Sequence, residues 1–431
     1  LFGIASVPLM FLAGRALFRD NVSALLAALL FAVNPFQIFY AQELRIYAFY
    51  VFIWLVAIYC LVNALEHGAW RWWIGLVLCE VLSVYSHFIS IWTVFTINVF
   101  FLIALWHYRK YLWRWTASQA LVVALVAPIL PTAFYLNNLL ATKSVKWYPD
   151  PTLTTGLFTV KDFFAGYGAT PWAYWGIFLL GGGLCALGIL SCWRRWPMGV
   201  LIAVLIVVPV AGNLAMWSLR SFSFYEHRLF IFSGVAALLA AAQGLRVLRW
   251  RIAIALVTAL YLLLTAPLLR DTYLGRIHPD VQHRVAVYDK VDLRSPAAYI
   301  KDHWQPGDLI AHASHFTVYP MHHYLDLPSV RLGWTEDYAT QMLDTFGPVQ
   351  EPLLTAHGLM PVPVAQATQG VNRIWWIETF GNTFEAKQLT EPLRAWLDQH
   401  YDRAEQHEYS GALLVLYTHK HDPQPEPQPA S

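Results

Sequence analysis

The chain has 431 residues, of which 57% are hydrophobic and 13% charged, with a formal net charge of +2 and a mean hydropathy of +0.44. So apolar a composition excludes an ordinary soluble protein and indicates an integral membrane protein. The 20 Trp residues suit a chain that meets the membrane interface many times.

Apolar runs long enough to span a bilayer fall at 1–18, 22–40, 46–65, 72–86, 88–107, 116–136, 171–192, 197–217, 228–248 and 250–269. The runs at 72–86 and 88–107 together exceed one crossing, so a turn is expected near His87. After Leu269 the runs stop. Cys60, Cys79, Cys185 and Cys192 all fall in or at the end of spans, which implies no disulfide framework.

Alternate connections carry unequal positive charge. One set holds Arg15, Arg19, Arg71, Arg109, Lys110, Arg114, Arg194, Arg195, Arg246, Arg249 and Arg251 in short turns. The other holds Arg45, Lys143, Lys146, Lys161, Arg220 and Arg228, spread over longer loops. The first set is assigned to the cytoplasm, which sends 41–45, 86–88, 137–170, 218–228 and everything after Leu269 to the outer side of a plasma (inner) membrane. Leu1 then lies outside with no charged flank, and an N-terminal helix with its outer loop is expected to precede it.

Residues 1–269 carry 17 basic and 7 acidic side chains, a balance of +10, and the remainder has 12 basic and 20 acidic, a balance of −8. Residues 270–420 therefore read as a solvated extracytoplasmic α/β domain. "SPAAYIKDHW" (295–304) is a helix with Ser295 as N-cap and Pro296 at its first position. "DLIAHAS" (308–314), "RIWWIETF" (373–380) and "ALLVLYT" (412–418) are strands, and "EPLRAWLDQHY" (391–401) is an amphipathic helix. The Pro-rich end, 421–431, has a disordered composition.

The segment "NPFQIFYAQELRIYAFY" (34–50) places Glu43 and Arg45 between two spans. Charges there can be interfacial anchors. They have company on the same side: Tyr225, Glu226, His227 and Arg228 open another span, His87 sits at an outer turn, and "TKSVKWYPD" (142–150) brings Lys143 and Lys146. Arg offers a planar fork to a phosphate and Lys a point charge, so this surface suits a lipid phosphate headgroup.

Taken with "VYSHF" (84–88), "KWYPDPT", "FFAGYG" and "FYEHRLFIFSGVAALLAAAQGL" (224–245), the 34–50 segment resembles the bacterial branch of the dolichyl-phosphate-mannose protein mannosyltransferase-like family. That family belongs to the GT-C glycosyltransferases and includes the lipid A aminoarabinose transferases. The resemblance implies a GT-C-like transmembrane bundle over 1–269 and an enzyme, a hexosyl or pentosyl transferase of the cell envelope. It would move a sugar from a polyprenyl-phosphate donor to a lipid, glycan or protein acceptor on the outer face, with inversion. Arg45 and Arg228 fit the role of holding the departing lipid phosphate. Glu43, Tyr47, His87, Lys143, Lys146 and Tyr225 are candidates for substrate contact. The family's catalytic carboxylate lies in the first outer loop, expected here ahead of Leu1. Glu43 is a weaker candidate base, since Arg45 two residues on assigns it to an ion pair.

Glu80, inside a span, reads as a protonated carboxyl bonded to a neighbouring helix. The region after Leu269 holds 12 of the 16 His; His312, His315, His322 and His323 lack a Cys or carboxylate at a diagnostic interval, so an exposed His-rich helix and strand end is expected and no metal or other cofactor is called for. No nucleic-acid partner is expected. The alternative function is a transporter or flippase for a lipid-linked or anionic substrate, against which "LLGGGLCALG" (179–188) has no counterpart in the other half.

Overall fold

The structure is a computed structural model describing residues 1–43, 45–87, 90–132, 151–220, 225–277, 291–333, 355, 360–379 and 384–420. Two compact units divide the chain, 1–287 and 288–431. The polypeptide around Lys143 and Lys146 lies outside the described residues, as does the Pro-rich end.

The first unit is helical: α1 (Phe2–Phe18), α2 (Asn21–Ala32), α3 (Pro35–Ala41), α4 (Tyr47–His67), α5 (Trp70–Ser86), α6 (Ile91–Ile103), α7 (Leu112–Val126), α8 (Leu153–Ala165), α9 (Pro171–Ser191), α10 (Trp196–Arg220), α11 (Ile231–Val247) and α12 (Arg251–Tyr273). A helix occupies each of the ten apolar runs. Among the described residues six helical stretches are long and apolar enough to cross a membrane, Tyr47–His67, Leu105–Thr132, Pro171–Ser191, Trp196–Ala215, His227–Val247 and Arg251–Tyr273. Phe2–Phe18 and Ile91–Ile103 are apolar but shorter. The run at 22–40 is not one straight helix: α2 and α3 meet at a 59° bend. Asn34 and Pro35 cause it. Pro at the first turn of a helix cannot donate backward into a preceding one, and the Asn34 side chain accepts from Gln37 N to cap α3.

Burial sorts the helices. The span His227–Val247 is 83% buried, whereas Leu105–Thr132 and Arg251–Tyr273 are 22% buried. A helix buried all round belongs at the centre of a bundle, and one buried on a single stripe at its edge. The central helix earns that place through small residues. A Cβ on Gly188 of α9 would land on the carbonyl oxygen of Ala240, and one on Gly244 of α11 on that of Leu184. The Gly-rich segment of α9 is therefore a contact surface that lets two backbones touch.

One end of the unit is tied by charge. Glu66 at the end of α4 takes Arg19 at 3.0 Å and Arg195 at 2.6 Å, and Arg195 also donates to the Leu17 carbonyl. Asp20 caps α2 through Ser23 and accepts from Arg246 of α11 at 3.2 Å. The turns expected to share one side of the membrane thus meet at one end. Within the bundle Glu80 accepts from Gln119 of α7 at 3.0 Å, and Gln119 accepts from Asn98 of α6 at 2.8 Å. The four Cys are buried free thiols.

The second unit is an α/β layer: α13 (Arg294–His303), β1 (Leu309–His312), α14 (His315–Tyr324), β2 (Ser329–Gly333), β3 (Val362–Pro363), β4 (Arg373–Thr379), α15 (Phe384–His400), β5 (Tyr401–Tyr409) and β6 (Ala412–Lys420). The sheet order is β3-β2-β1-β4-β6-β5, parallel from β3 to β4 and antiparallel from β4 to β5. β4 is central and buried on both faces, which is why "RIWWIET" is a continuous apolar run and does not alternate. One face packs under α13 and α14 and the other under α15. Two expectations need correction. Ser295 is not the N-cap: the helix starts at Arg294, and the carboxylate of Asp292 accepts from the amides of Arg294 and Ser295 and from the Ser295 hydroxyl. Nor is the strand end at His312 exposed, since the strand is central and His312 is fully buried, while His322 and His323 are exposed. The polar strand β5 gave no apolar signal because its residues sit at the sheet edge.

Gly188→Ala and Gly244→Ala are each expected to force α9 and α11 apart, lowering the thermal unfolding midpoint of the purified protein. Gly182→Ala, whose added methyl meets nothing within 4 Å, is expected to leave it unchanged or raised.

Candidate functional site

The 34–50 segment forms one wall of a polar cluster at the opposite end of the first unit. Asn34, having capped α3, donates from Nδ2 to the Phe163 carbonyl at 3.0 Å. Gln37 donates to the Ile231 carbonyl at 3.1 Å. These two amides pin α3 between the end of α8 and the start of α11. Gly166, at φ 61°, turns the chain out of α8 where a Cβ would strike the Phe36 backbone, and so delivers Tyr167 to Tyr40, hydroxyl to hydroxyl at 2.7 Å.

Tyr40 stacks edge-on against Tyr47 at 4.9 Å, and the Tyr47 ring lies 6.3 Å from that of His87. Tyr50 lies 6.4 Å from the same imidazole and bonds Thr93 at 3.0 Å. Arg228 is 6% exposed and acts electrostatically on Tyr40, Tyr47 and His87 alike. Arg45 also acts electrostatically on Tyr47, and its Nε stands 4.0 Å from Glu43 Oε2. The fold thus gathers Glu43, Arg45, Tyr47, His87 and Arg228 from three separate stretches of sequence. Burial, with the Arg228 guanidinium as a second cause, pushes the His87 imidazole down to about 4, so it is neutral at pH 7.

Tyr225 stands in the wall behind. Its hydroxyl bonds Thr159 of α8 at 2.7 Å and its ring packs on Phe230 at 5.0 Å.

The segment 151–170, expected as loop, contains α8 and the most buried charges of the unit. Thr152 and Thr155 form a reciprocal capping box that starts the helix. Asp162 is fully buried; it accepts from the Tyr174 hydroxyl at 2.8 Å and from Nδ1–H of His227. Lys161, also fully buried, lies over the rings of Phe158, Tyr174 and Trp175 at 3.9, 4.1 and 4.3 Å, a cation–π cage. Asp162, and its pairing with the His227 already singled out, were missed in the sequence because the two are 65 residues apart. The Thr-x-x-Thr spacing ahead of an apolar run was the available sign of the helix. Chemically, the Asp162–His227 pair fixes the turn that presents Arg228, so one buried carboxylate on α8 positions a guanidinium on the neighbouring segment. Among the described residues no three His, Cys, Asp or Glu side chains gather to hold a metal.

Asp162→Ala should cost about 3–5 kcal/mol of stability, because it strands a buried imidazole and a hydroxyl. Asp162→Asn, which keeps an acceptor, should cost less; chemical unfolding of both variants measures the difference. A second expectation concerns pH. Between about pH 4 and pH 6.5 an unfolded His87 binds a proton that the folded one does not, so His87 makes stability rise with pH across that window and fall as the medium is acidified. His87→Gln should flatten this part of the stability curve.

Residues 1–134 match the sequence model of the dolichyl-phosphate-mannose-protein mannosyltransferases. No curated protein matches the chain by sequence. Two solved structures are similar over nearly its whole length, both of ArnT from Cupriavidus metallidurans. In the apo state the identity is 12% and the TM-score 0.59, covering 96% of this chain and 82% of that one. Bound to undecaprenyl phosphate the identity is again 12%, the TM-score 0.55 and the coverage 96% and 82%. The expected resemblance therefore holds at two levels: the first 134 residues carry the mannosyltransferase family's sequence pattern, and the chain has the fold of ArnT.

Proposed function

We propose that the protein is a membrane glycosyltransferase that takes a sugar from a polyprenyl-phosphate-linked donor at the outer face of a plasma membrane and passes it to an acceptor hydroxyl or amine. The observation that carries the reading is the convergence of Arg228 with Tyr40, Tyr47 and His87 at the helix ends opposite the Arg-rich turns. The match of residues 1–134 and the fold shared with a protein that binds undecaprenyl phosphate support it.

In such a transfer the bond between the anomeric carbon and the phosphate oxygen breaks, and the lipid phosphate leaves with the electron pair. Cations fixed beside that oxygen stabilise the developing charge. Arg228, held from behind by Asp162 and His227, is the fixed cation. Arg45, whose side chain is 49% exposed, closes on the phosphate from the segment that enters α4. Glu43 orients Arg45. Tyr47 and the neutral His87 supply hydrogen bonds without adding charge. The acceptor attacks from the face away from the phosphate, so the anomeric configuration inverts, and a carboxylate base takes its proton. Lys143 and Lys146, on the outer segment 137–150, are proposed to meet the donor or acceptor headgroup. The second unit is proposed to lie outside the cytoplasm, in keeping with its acidic balance.

Removing either cation deletes a charge-assisted contact of about 1.5–3 kcal/mol, so undecaprenyl phosphate should bind Arg228→Ala and Arg45→Ala roughly 10- to 150-fold more weakly. Arg45→Lys should recover part of this, lacking the planar fork. Unchanged affinity in a folded Arg45→Ala protein would assign Glu43 and Arg45 to membrane anchoring.

A further inference from the structure

The second unit holds a buried imidazole outside everything described above. β1 ends at His312, which is fully buried, and the chain turns at Ser314 into α14. Thr317, in the first turn of α14, donates its one hydroxyl proton to the Ser314 carbonyl at 3.0 Å. Its oxygen can therefore only accept from His312 Nδ1, 3.0 Å away. The ring proton sits on Nδ1, and Nε2 is a bare lone pair. Nε2 makes no hydrogen bond. Burial, followed by the nearby His322, pushes this imidazole down to about 3, so it is neutral at pH 7 and the lone pair is permanent there.

A second unsatisfied atom shares the face. The register sets His312 beside Ile377 of β4, and Thr379, two residues on, points to the same side of the sheet. Thr379 is 5% exposed and its hydroxyl makes no hydrogen bond. Buried polar atoms without partners are rare and call for an occupant. Their position has a topological meaning as well. From β1 the chain moves outward to β2 and β3, then returns to place β4 on the other side of β1. The crevice beyond the carboxyl ends of two such strands is where open α/β sheets bind ligands.

The chemistry narrows the class. Ile310, Ile377, Met321 and Leu325 belong to the apolar cluster beneath. Glu378 faces the other layer, engaged by Trp376 and Arg394. Asp308 lies at the opposite end of β1, bonded to Arg373 and Trp375. Arg331 of β2, buried beside His312 in the register, is already engaged by a partner of its own, and an anion would meet the His312 lone pair unfavourably. A metal ion would need ligands that do not gather among the described residues. A sugar ring offers hydroxyl donors on its rim and a C–H face for the apolar side chains. We propose that the carboxyl edge of β1 and β4 binds a small neutral, hydroxyl-bearing ligand of the saccharide class, with a ligand hydroxyl donating to His312 Nε2 and another bonded to Thr379. Its residues are not among those that surround Arg228.

The test uses the full chain in lipid nanodiscs free of glycoside detergent, with glucose and N-acetylglucosamine as probes. Saturation-transfer NMR should show one of these sugars receiving magnetisation, and in protein with ring-15N histidine the bare Nε2 resonance of His312 should shift on its addition. Thr379→Val and His312→Phe should each weaken binding about tenfold. Arg228→Ala should leave it unchanged. If His312→Phe does not fold, Thr379→Val and the Nε2 resonance decide. The proposal is overturned if neither sugar receives magnetisation, if binding survives intact in Thr379→Val, if it is lost in a folded Arg228→Ala protein, or if inorganic phosphate displaces the sugar.

Discussion

The break at Asn34–Pro35 is the constraint from which the rest of the first unit follows. A continuous helix over 22–40 would carry Tyr40, Glu43 and Arg45 along the direction of α2. The 59° bend turns α3 instead, and the Asn34 and Gln37 amides fasten it to the carbonyls of Phe163 and Ile231. The last carbonyls of a helix are orphan acceptors, so the Asn34 bond to Phe163, near the end of α8, also satisfies a group that an apolar setting would leave costly. Tyr40 and Tyr47 reach Arg228 only because of this.

Placing Arg228, His227, Asp162 and Lys161 in the interior is expensive. Asp162, His227 and Lys161 each have an identified compensation in the neighbouring residues. Asp162 accepts from an imidazole and a phenol, Lys161 sits over three aromatic rings, and the small-residue contact between α9 and α11 brings these elements close enough for the pairing. The opposite end solves an easier problem, since Glu66, Arg19 and Arg195 keep contact with solvent. Strong interior pairing at one end and partly exposed pairing at the other fit the proposal that the first end takes the lipid phosphate.

The second unit applies a different rule. Its central strand is saturated with apolar contacts on both faces, and two of its buried carboxylates, Asp308 and Glu378, are engaged at the far end of β1 and beneath α15. Among the described residues of this unit, His312 Nε2 and Thr379 Oγ1 are buried and make no hydrogen bond. Localised polar demand on an otherwise complete α/β layer is the pattern of a preformed ligand site.

Apolar runs, their flanking Arg and Lys, and the change from +10 to −8 after Leu269 were enough to determine a helical membrane unit followed by an α/β unit, because hydrophobic burial and charge solvation act on stretches of sequence. The ordered motifs carried the family resemblance in the same way. Glu43, Arg45, His87 and Arg228 were legible as candidates because charge beside an apolar span is conspicuous. Their assembly was not, since it depends on a bend and on amide bonds between residues more than a hundred positions apart. Asp162 was hidden in a stretch whose polarity reads as loop, and His312 in a His-rich stretch that reads as surface. Burial decided both, and burial is a property of what packs around a residue, which only the tertiary structure supplies.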